Sequence, residues 1–172
     1  MIDFRVERVE TEEKTEQFLM LLREIALWLE EIGQPMWSLE GLKKERFLAE
    51  NGDAELYLVY CGDEPAGAFM LKSHNEFWWP EAREGEDVFL KKLGVSRVYA
   101  GTGLSGRILE WVKREAEHRG LKHVRIEFYA DREHLLKLYL NNGFEEVRRR
   151  VMPDGIEISL CQYVTGQPEK VL

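Results

Sequence analysis

Residues 92–109 read KLGVSRVYAGTGLSGRIL, and this stretch decides the fold. It starts as the end of an apolar strand, passes through a turn of small residues, and continues into the apolar spacing of a helix. Its centre, GTGLSG at residues 101–106, fits G-x-G-x-x-G, a pattern typical of backbone turns that bind a pyrophosphate. The pattern alone is a weak signal, so a dinucleotide site, another pyrophosphate site and a plain turn all stay open at this point.

The sequence around this stretch predicts the element order β-α-α-β-β-β-α-β-α-β-β. Strands are predicted from alternating or continuous apolar runs, and helices from apolar residues three or four positions apart. The predicted strands are 2–9, 55–61, 66–79, 87–95, 123–128, 144–150 and 156–164. The predicted helices run from Thr11 to Gly33, from Ser38 to about Glu50, over 104–119, and from Asp131 to the NNG at 141–143.

This order contains one parallel crossover, from strand 87–95 through the glycine-rich turn and a helix to strand 123–128. Hairpins lie on either side of it, so the sheet is expected to be mixed and mostly antiparallel, with a parallel central pair. We therefore predict an α/β (α+β) fold with helices on both faces. Thr11, Ser38 and Asp131 are the expected helix caps. The first helix is expected to bury one apolar face, formed by Phe18, Leu22, Ile25, Leu29 and Ile32.

A dinucleotide site has some support. Glu127 follows Gly106 at about the spacing, roughly 20 residues, where such sites place a ribose-binding acid. Two features disfavour it. Residues 96–100 intervene between the strand and Gly101, whereas the dinucleotide turn follows its strand at once. A doubly wound half also needs further parallel units, and here an antiparallel hairpin follows.

The same stretch resembles the cofactor motif of the GNAT superfamily of acetyl-CoA-dependent N-acetyltransferases. Leu93 and Val95 match its strand, while Gly103 and Ser105 match its small residues at the start of the helix. A second stretch, KLYLNNGFEEV, resembles the later motif of the family, with matching residues Tyr139, Gly143 and Phe144. The resemblance covers nearly the whole chain and implies a single domain over residues 1–172. Two positions depart from the family pattern: Ala100 stands where Gln or Arg is usual, and Arg132 where Asn is frequent.

The resemblance implies that acetyl-CoA is bound as co-substrate by the strand end and the turn. In the family, the strands equivalent to 87–95 and 123–128 separate, and the pantetheine lies between them. The expected cofactor-binding residues are Leu93, Gly94, Val95, Ala100, Gly101, Thr102, Gly103, Leu104, Ser105 and Gly106. Exposed amides at the positive end of a helix suit a pyrophosphate, and small side chains allow its close approach.

The implied reaction is acetyl transfer from acetyl-CoA to an amine, and by resemblance Tyr139 protonates the departing thiolate. The amine must lose a proton, for which His74, Glu76, Glu86 and Asp87 are candidates that spacing does not separate. Two segments, 33–41 and 76–87, correspond to the family's acceptor walls, and their aromatic and acidic residues suit a small cationic or amphipathic amine. From them we expect Trp37, Glu76 and Trp78 to bind the acceptor, with Trp79 beside them.

Composition narrows the remaining function classes. The 172 residues carry a net charge of −8, which disfavours nucleic-acid and anionic-membrane surfaces. Neither a signal peptide nor a membrane span is expected, and Cys61 and Cys161 are expected to be reduced residues of a cytoplasmic protein. No metal is expected, because neither His nor Cys shows ligand spacing. A homodimer, an acyl-CoA-binding module without catalysis and, more remotely, a dinucleotide-dependent oxidoreductase stay open as alternatives.

Overall fold

The computed structural model describes residues 2–166, which form seven β-strands, four α-helices and one turn of 3-10 helix. The strands are β1 Arg5–Arg8, β2 Glu55–Cys61, β3 Glu64–Lys72, β4 Asp87–Val95, β5 His123–Tyr129, β6 Glu145–Val151 and β7 Glu157–Val164. The helices are α1 Glu12–Glu31, α2 Lys44–Asn51, α3 Leu104–His118 and α4 Glu133–Asn141, and the 3-10 turn is Arg97–Tyr99.

The strands within residues 2–166 form one sheet in the order β1-β2-β3-β4-β5-β7-β6. β4 and β5 are parallel, whereas β1–β2, β2–β3, β5–β7 and β6–β7 pair antiparallel. This arrangement confirms the mixed, mostly antiparallel sheet with a parallel central pair. It also places α3, the helix that follows the glycine-rich turn, in the one parallel crossover.

The chain packs as two compact units, of which the first contains the residues up to Leu71 together with Lys92–Leu104. Its core forms because α1 carries a buried apolar face that packs with α2 and with β2 and β3. The buried members of this cluster include Phe18, Leu22, Ile25, Phe47, Leu58, Ala68 and Met70. Thr11 caps α1 as predicted, since its side chain accepts a hydrogen bond from Lys14 N at 3.1 Å.

The second unit contains Lys72–Lys91 together with the described residues from Ser105 to Gly166. One face of β5 contributes Val124, Ile126 and Phe128, all of them buried. A separate apolar cluster joins Trp79, Phe89, Ile158 and Leu160. Both cysteines of the chain are buried and neither forms a disulfide; Cys61 lies in the first unit and Cys161 in the second.

The predicted strand 66–79 is too long, since β3 ends at Lys72. Ser73, His74 and Asn75 follow it, and the chain then turns, with Trp79 N donating to Asn75 O at 2.9 Å. The aromatic run FWW suggested a strand because aromatic residues are frequent in strands. Here those side chains pack instead against other parts of the second unit, which fixes the segment as an irregular loop.

Three further local predictions are wrong. Ser38 accepts from Gly41 N at 3.0 Å and so stabilises a turn, whereas α2 begins later and has Lys43 as its N-cap residue. Asp131 pairs with the Arg132 guanidinium at 2.8 Å, and the N-cap position of α4 is Arg132 itself. Ile32 follows the last residue of α1 and is 51% exposed, because the helix ends before its side chain can reach the core.

Candidate active site

The pairing between β4 and β5 stops well before either strand ends. It joins Asp87 to His123, Val88 to Val124 and Phe89 to Arg125, and the register within residues 2–166 shows no further pair. Beyond it, Lys92 has a φ of 54°, and it is the only residue other than glycine in that part of the chain with a positive φ. A left-handed residue inside a strand breaks the regular ladder, so β4 bends where its pairing with β5 has lapsed.

Trp37 packs directly on the end of β4. A Cβ added to Gly94 would lie 2.8 Å from the Trp37 ring and 3.0 Å from Ile25 Cδ1, so only glycine fits beneath the indole. The Lys92 ammonium lies 5.9 Å from the centre of the same ring. The structure thus brings two predicted site residues together: Trp37, expected on the acceptor side, covers Gly94, expected on the cofactor strand.

The turn after β4 is closed by hydrogen bonds within its own backbone. Ala100 N donates to Arg97 O and Thr102 N to Tyr99 O, at 3.2 and 3.3 Å. These two amides are therefore occupied, contrary to the expectation that the whole run of small residues offers free donors. Gly101 and Gly103 have φ values of 73° and 83°, and no atom lies within 4 Å of a Cβ built on either. Both glycines supply a left-handed backbone and leave it uncovered.

The start of α3 combines two different roles. Gly103 precedes the helix, and the amides of its first turn have no intrahelical acceptor. Leu104 is buried and anchors the turn. A Cβ on Gly106 would lie 3.4 Å from Asn142 Oδ1, an ordinary contact distance, so packing against the end of α4 does not by itself require glycine there. Gly106 was predicted as a cofactor residue and stays a prediction.

Tyr139 on α4 lies in an apolar environment. Its ring stacks on Phe128 with a centroid distance of 5.1 Å and meets Phe144 edge-on at 5.4 Å. The residue is 3% exposed. Burial raises the pKa of its phenol above the ordinary value of a tyrosine, so the hydroxyl keeps its proton across the neutral and mildly alkaline range.

Glu127 lies on the other face of β5, because side chains alternate along a strand and Phe128 faces Tyr139. Its carboxylate accepts from Asn75 Nδ2 at 3.0 Å and from Trp79 Nε1 at 3.2 Å, and it forms an ion pair with Lys91. Since Lys91 belongs to β4, this ion pair joins the two strands beyond their last backbone pair. A carboxylate offers about four acceptor sites, so three donors leave one of them open.

From the sequence, Glu127 was expected only as the acid of a dinucleotide site. The available signal was the alternation in HVRIEFY, where His123, Arg125 and Glu127 interrupt an otherwise apolar strand at every second position. On a central strand, a charged residue facing inward needs partners. The partners of Glu127 come from a loop and from another strand, so the network itself was not readable.

The structure separates the four candidate proton acceptors. Glu86 pairs with Lys122 at 2.7 Å, and this hydrogen bond lowers the pKa of the Glu86 carboxyl. Asp87 is 4% exposed and lies 2.6 Å from His123 Nδ1. Both therefore act as structural partners where β4 begins. His74 and Glu76 are exposed and lie 3.3 Å apart.

The three predicted acceptor residues and their neighbour Trp79 have different environments. Trp37 is half-buried, as is Trp78, whereas Glu76 is exposed. Trp79 is fully buried and is a core residue, contrary to the expectation that it lines the acceptor site. Its ring is held between Arg125 and Arg148, whose guanidinium carbons lie 4.6 and 5.0 Å from the ring centre.

No group of three or more His, Cys, Asp or Glu side chains within residues 2–166 is arranged to hold a metal ion. None of the helices in that range is both long enough and apolar enough to cross a bilayer.

A model of the acetyltransferase (GNAT) family matches residues 22–144, and the chain belongs to that family. The match confirms the family, the enzyme class and, with the structural relatives below, the fold expected from the two sequence motifs.

Similar proteins agree with this assignment. The chain is 29% identical over 141 residues to the uncharacterized N-acetyltransferase YesJ of Bacillus subtilis, which covers 77% of each chain. A GNAT acetyltransferase of Listeria monocytogenes has a TM-score of 0.74 at 21% identity, with 94% of each chain covered. A GNAT acetyltransferase of Elizabethkingia anophelis, solved with acetyl-CoA bound, has a TM-score of 0.64 at 16% identity over 94% of this chain and 97% of its own.

Proposed function

We propose that this protein transfers the acetyl group of acetyl-CoA directly to the amine of a small acceptor. The observation that carries the proposal is β4, which pairs with β5 over only three residues and then leads into an uncovered helix start. Membership of the GNAT family supports the reaction class. The Elizabethkingia relative, which binds acetyl-CoA on the same fold, supports the co-substrate.

The turn and the first residues of α3 fit the pyrophosphate of this co-substrate. The first-turn amides, from Gly103 to Gly106, point away from the helix and are donors without intrahelical acceptors. The helix dipole adds partial positive charge at the same end. Gly101 and Gly103 leave the approach to these amides open, because no side chain covers them. Thr102 and Ala100 shape the turn through their occupied amides, and Ser105 adds a hydroxyl at the helix start.

The end of β4 is the proposed site of the pantetheine. Beyond Phe89 its backbone has no partner in β5, and an extended chain can add to such a free edge as a further strand does. Leu93, Gly94 and Val95 are the residues of this edge. A backbone N–H there would donate to the thioester carbonyl oxygen and stabilise the negative charge that develops on it.

Glu127 is the proposed proton acceptor for the amine. An amine with an ordinary pKa near 10.4 is almost entirely protonated at neutral pH, so a proton must leave before attack. Glu127 carries one open acceptor site and lies beside the point where β4 and β5 lose their pairing. It can take the proton directly or through a water molecule.

The remaining step follows from Tyr139. The amine nitrogen attacks the thioester carbonyl carbon, the carbon–sulfur bond breaks, and the sulfur leaves as a thiolate. Tyr139 supplies a proton to that thiolate, since its buried phenol is protonated at working pH. The products are the N-acetylated amine and free CoA. No covalent enzyme intermediate is required.

The proposed acceptor residues are Trp37, which lies above Gly94 in the first unit, and, in the second unit, Glu76 and Trp78 of the loop after β3. The Trp78 ring already carries a cation, because the Arg150 guanidinium carbon lies 4.8 Å from its centre. The Trp78 ring therefore already makes a cation–π interaction within the protein, so we propose that it contacts an apolar part of the acceptor. Location in the cytoplasm and assembly as a homodimer stay predictions.

A matched pair of glycine variants tests the cofactor site. Gly103 and Gly120 lie at opposite ends of α3, both have positive φ, and neither has an atom within 4 Å of an added Cβ. Valine at either position imposes similar backbone strain. We expect Gly103→Val to weaken acetyl-CoA binding at least tenfold by calorimetry, whereas Gly120→Val keeps the wild-type affinity. Equal affinities in both variants, or tight binding of NADH in place of acetyl-CoA, would overturn the assignment.

Catalysis separates the enzyme from a module that only binds acyl-CoA. The purified protein is incubated with acetyl-CoA and a panel of primary amines, and free CoA is measured. We expect amine-dependent release of CoA together with a product heavier than the amine by one acetyl group. Tight acetyl-CoA binding without CoA release from any amine would favour the binding module.

A further inference from the structure

A cavity of about 380 Å³ lies in the second unit, beside the loop that joins β6 to β7. Its lining is mainly apolar and aromatic, and the only charged side chain in it is a carboxylate. The lining residues are Trp78, Tyr129, Met152, Pro153, Asp154, Ile156 and Ile158. Ile158 is 7% exposed and belongs to the buried cluster beneath, so the cavity has a solid apolar floor.

The Trp78 wall of this cavity is held in place by its own neighbours. Phe77 meets the Trp78 ring edge-on at 4.8 Å, and the Arg148 guanidinium donates to Trp78 O at 3.1 Å. Arg150 stacks on the same ring and also donates to Phe77 O. A wall that is already ordered needs little further ordering when a ligand binds, which favours binding.

The two aromatic walls already carry cations of the protein itself. Arg150 lies over Trp78, and the Arg132 guanidinium carbon lies 5.2 Å from the centre of the Tyr129 ring. A ligand ammonium would find these rings already in contact with guanidinium groups, and the one carboxylate in the lining, Asp154, already accepts from Ile156 N at 3.1 Å. The mainly apolar lining therefore suits a neutral apolar group better than a charged nitrogen.

Glu127 provides the place for that nitrogen. Tyr129 follows it by two residues on β5, so their side chains share one face at a spacing of about 6.6 Å. Across the ladder, Ile158 pairs with Tyr129 and Leu160 with Glu127, which keeps the cavity floor and the carboxylate on the same side. The open acceptor site of Glu127 and the apolar cavity are thus adjacent along a single strand face.

We propose that this cavity receives the apolar part of the acceptor, so that the acceptor is a primary amine joined by a short aliphatic link to a ring-sized apolar group. The inference rests on the proposed acetyl transfer and names the class of amine that it serves. The amine end reaches Glu127, and the ring lies between Trp78 and Tyr129 over Ile158.

The test uses two amines that differ only in the ring, 2-phenylethylamine and ethylamine, with release of free CoA as the readout. We expect wild-type KM to be at least tenfold lower for 2-phenylethylamine. Ile156→Ser, which removes an apolar side chain from the cavity rim, should raise that KM at least fivefold and leave the KM of ethylamine unchanged. Ile156→Leu should restore the wild-type preference. Val151→Ser is the matched control, because Val151 is exposed, lies on β6 close to the same loop and does not line the cavity.

The outcomes separate this inference from the proposed function. Equal KM values for the two amines in the wild type, or equal effects of Ile156→Ser and Val151→Ser, would overturn the cavity assignment while acetyl transfer stands. If neither amine releases CoA, acetyl transfer to this class fails. Calorimetric titration of 2-phenylethylamine into wild type and Ile156→Ser then tests ligand binding in the cavity independently of catalysis. Absence of binding to the wild type would reject the cavity as a binding site for this amine.

Discussion

The two faces of β5 place opposite chemistry on one strand. On one face, Val124, Ile126 and Phe128 are buried, and the ring of Tyr139 packs against Phe128 and Phe144. On the other face, Arg125 and Glu127 are fixed by ion pairs and hydrogen bonds. An apolar environment keeps a proton on a phenol, whereas a set of donors stabilises a carboxylate. A single strand therefore places an apolar environment on one face and a charged one on the other.

The proposed acid and the proposed base belong to different faces of β5, because side chains alternate along the strand. Substitutions of Glu127 and of Tyr139 test the two faces separately, and the larger loss of turnover is expected for Glu127.

The largest effect is expected from the polar face. Glu127→Gln keeps the size of the side chain and a carbonyl that can accept from Trp79, but it removes the charge and the basicity. We expect turnover to fall by about a hundredfold or more, in line with the loss of a general base, with acetyl-CoA affinity unchanged. Steady-state CoA release and calorimetry measure the two quantities.

Loss of the Lys91 ion pair could also lower turnover by loosening β4, so Lys91→Met serves as the comparison. A purely structural role for Glu127 predicts similar losses in both variants. A proton-transfer role predicts a much larger loss in Glu127→Gln, which added small carboxylates such as formate would partly restore. Full turnover in Glu127→Gln would show that Glu127 is not the general base.

A smaller effect is expected from the apolar face. Tyr139→Phe keeps the ring contacts with Phe128 and Phe144 and removes only the hydroxyl. We expect turnover to fall about tenfold, less than a typical general acid contributes, because a thiol of pKa near 8.5 is already a tolerable leaving group. The KM of acetyl-CoA should stay the same. Unreduced turnover from pH 7 upward would leave Tyr139 as a packing residue alone.

The smallest effect concerns stability at alkaline pH. Burial raises the pKa of Tyr139 in the folded state above that of the unfolded chain. Its contribution to folding is therefore fully present below pH 10 and is lost as the pH rises beyond that value. At pH 11, one unit above the ordinary pKa of a tyrosine, the loss amounts to roughly 1 kcal/mol. We expect the Tm of the wild type to fall more steeply between pH 9.5 and 11 than the Tm of Tyr139→Phe. Parallel curves of Tm against pH would contradict the raised pKa of the Tyr139 phenol.

The region around the glycine-rich turn could be predicted from the sequence because its determinants are local. Apolar alternation defines β4, small residues define the turn, and the apolar spacing from Leu104 defines α3. The two occupied amides of the turn were not predicted, since the 3-10 geometry of Arg97–Tyr99 depends on how the chain leaves β4.

The loop after β3 could not be predicted in the same way. Its residues Phe77, Trp78 and Trp79 have high strand propensity, yet each is held by a distant partner. Arginines of β6 contact the first two, and Glu127 of β5 binds the third. Local pattern carries no information about such partners, so both the end of β3 and the role of Glu127 emerged only in the folded chain.

The contact between the Trp37 ring and Gly94 limits the substitutions that these two positions tolerate. Any side chain at residue 94 would occupy the volume of the indole, and removal of the indole would leave that part of β4 bare. Residues 37 and 94 are therefore expected to vary together, because a larger residue at 94 requires a smaller one at 37. Engineering of a bulkier strand end has to alter the pair together, and a library that randomises residue 94 alone will return mostly glycine.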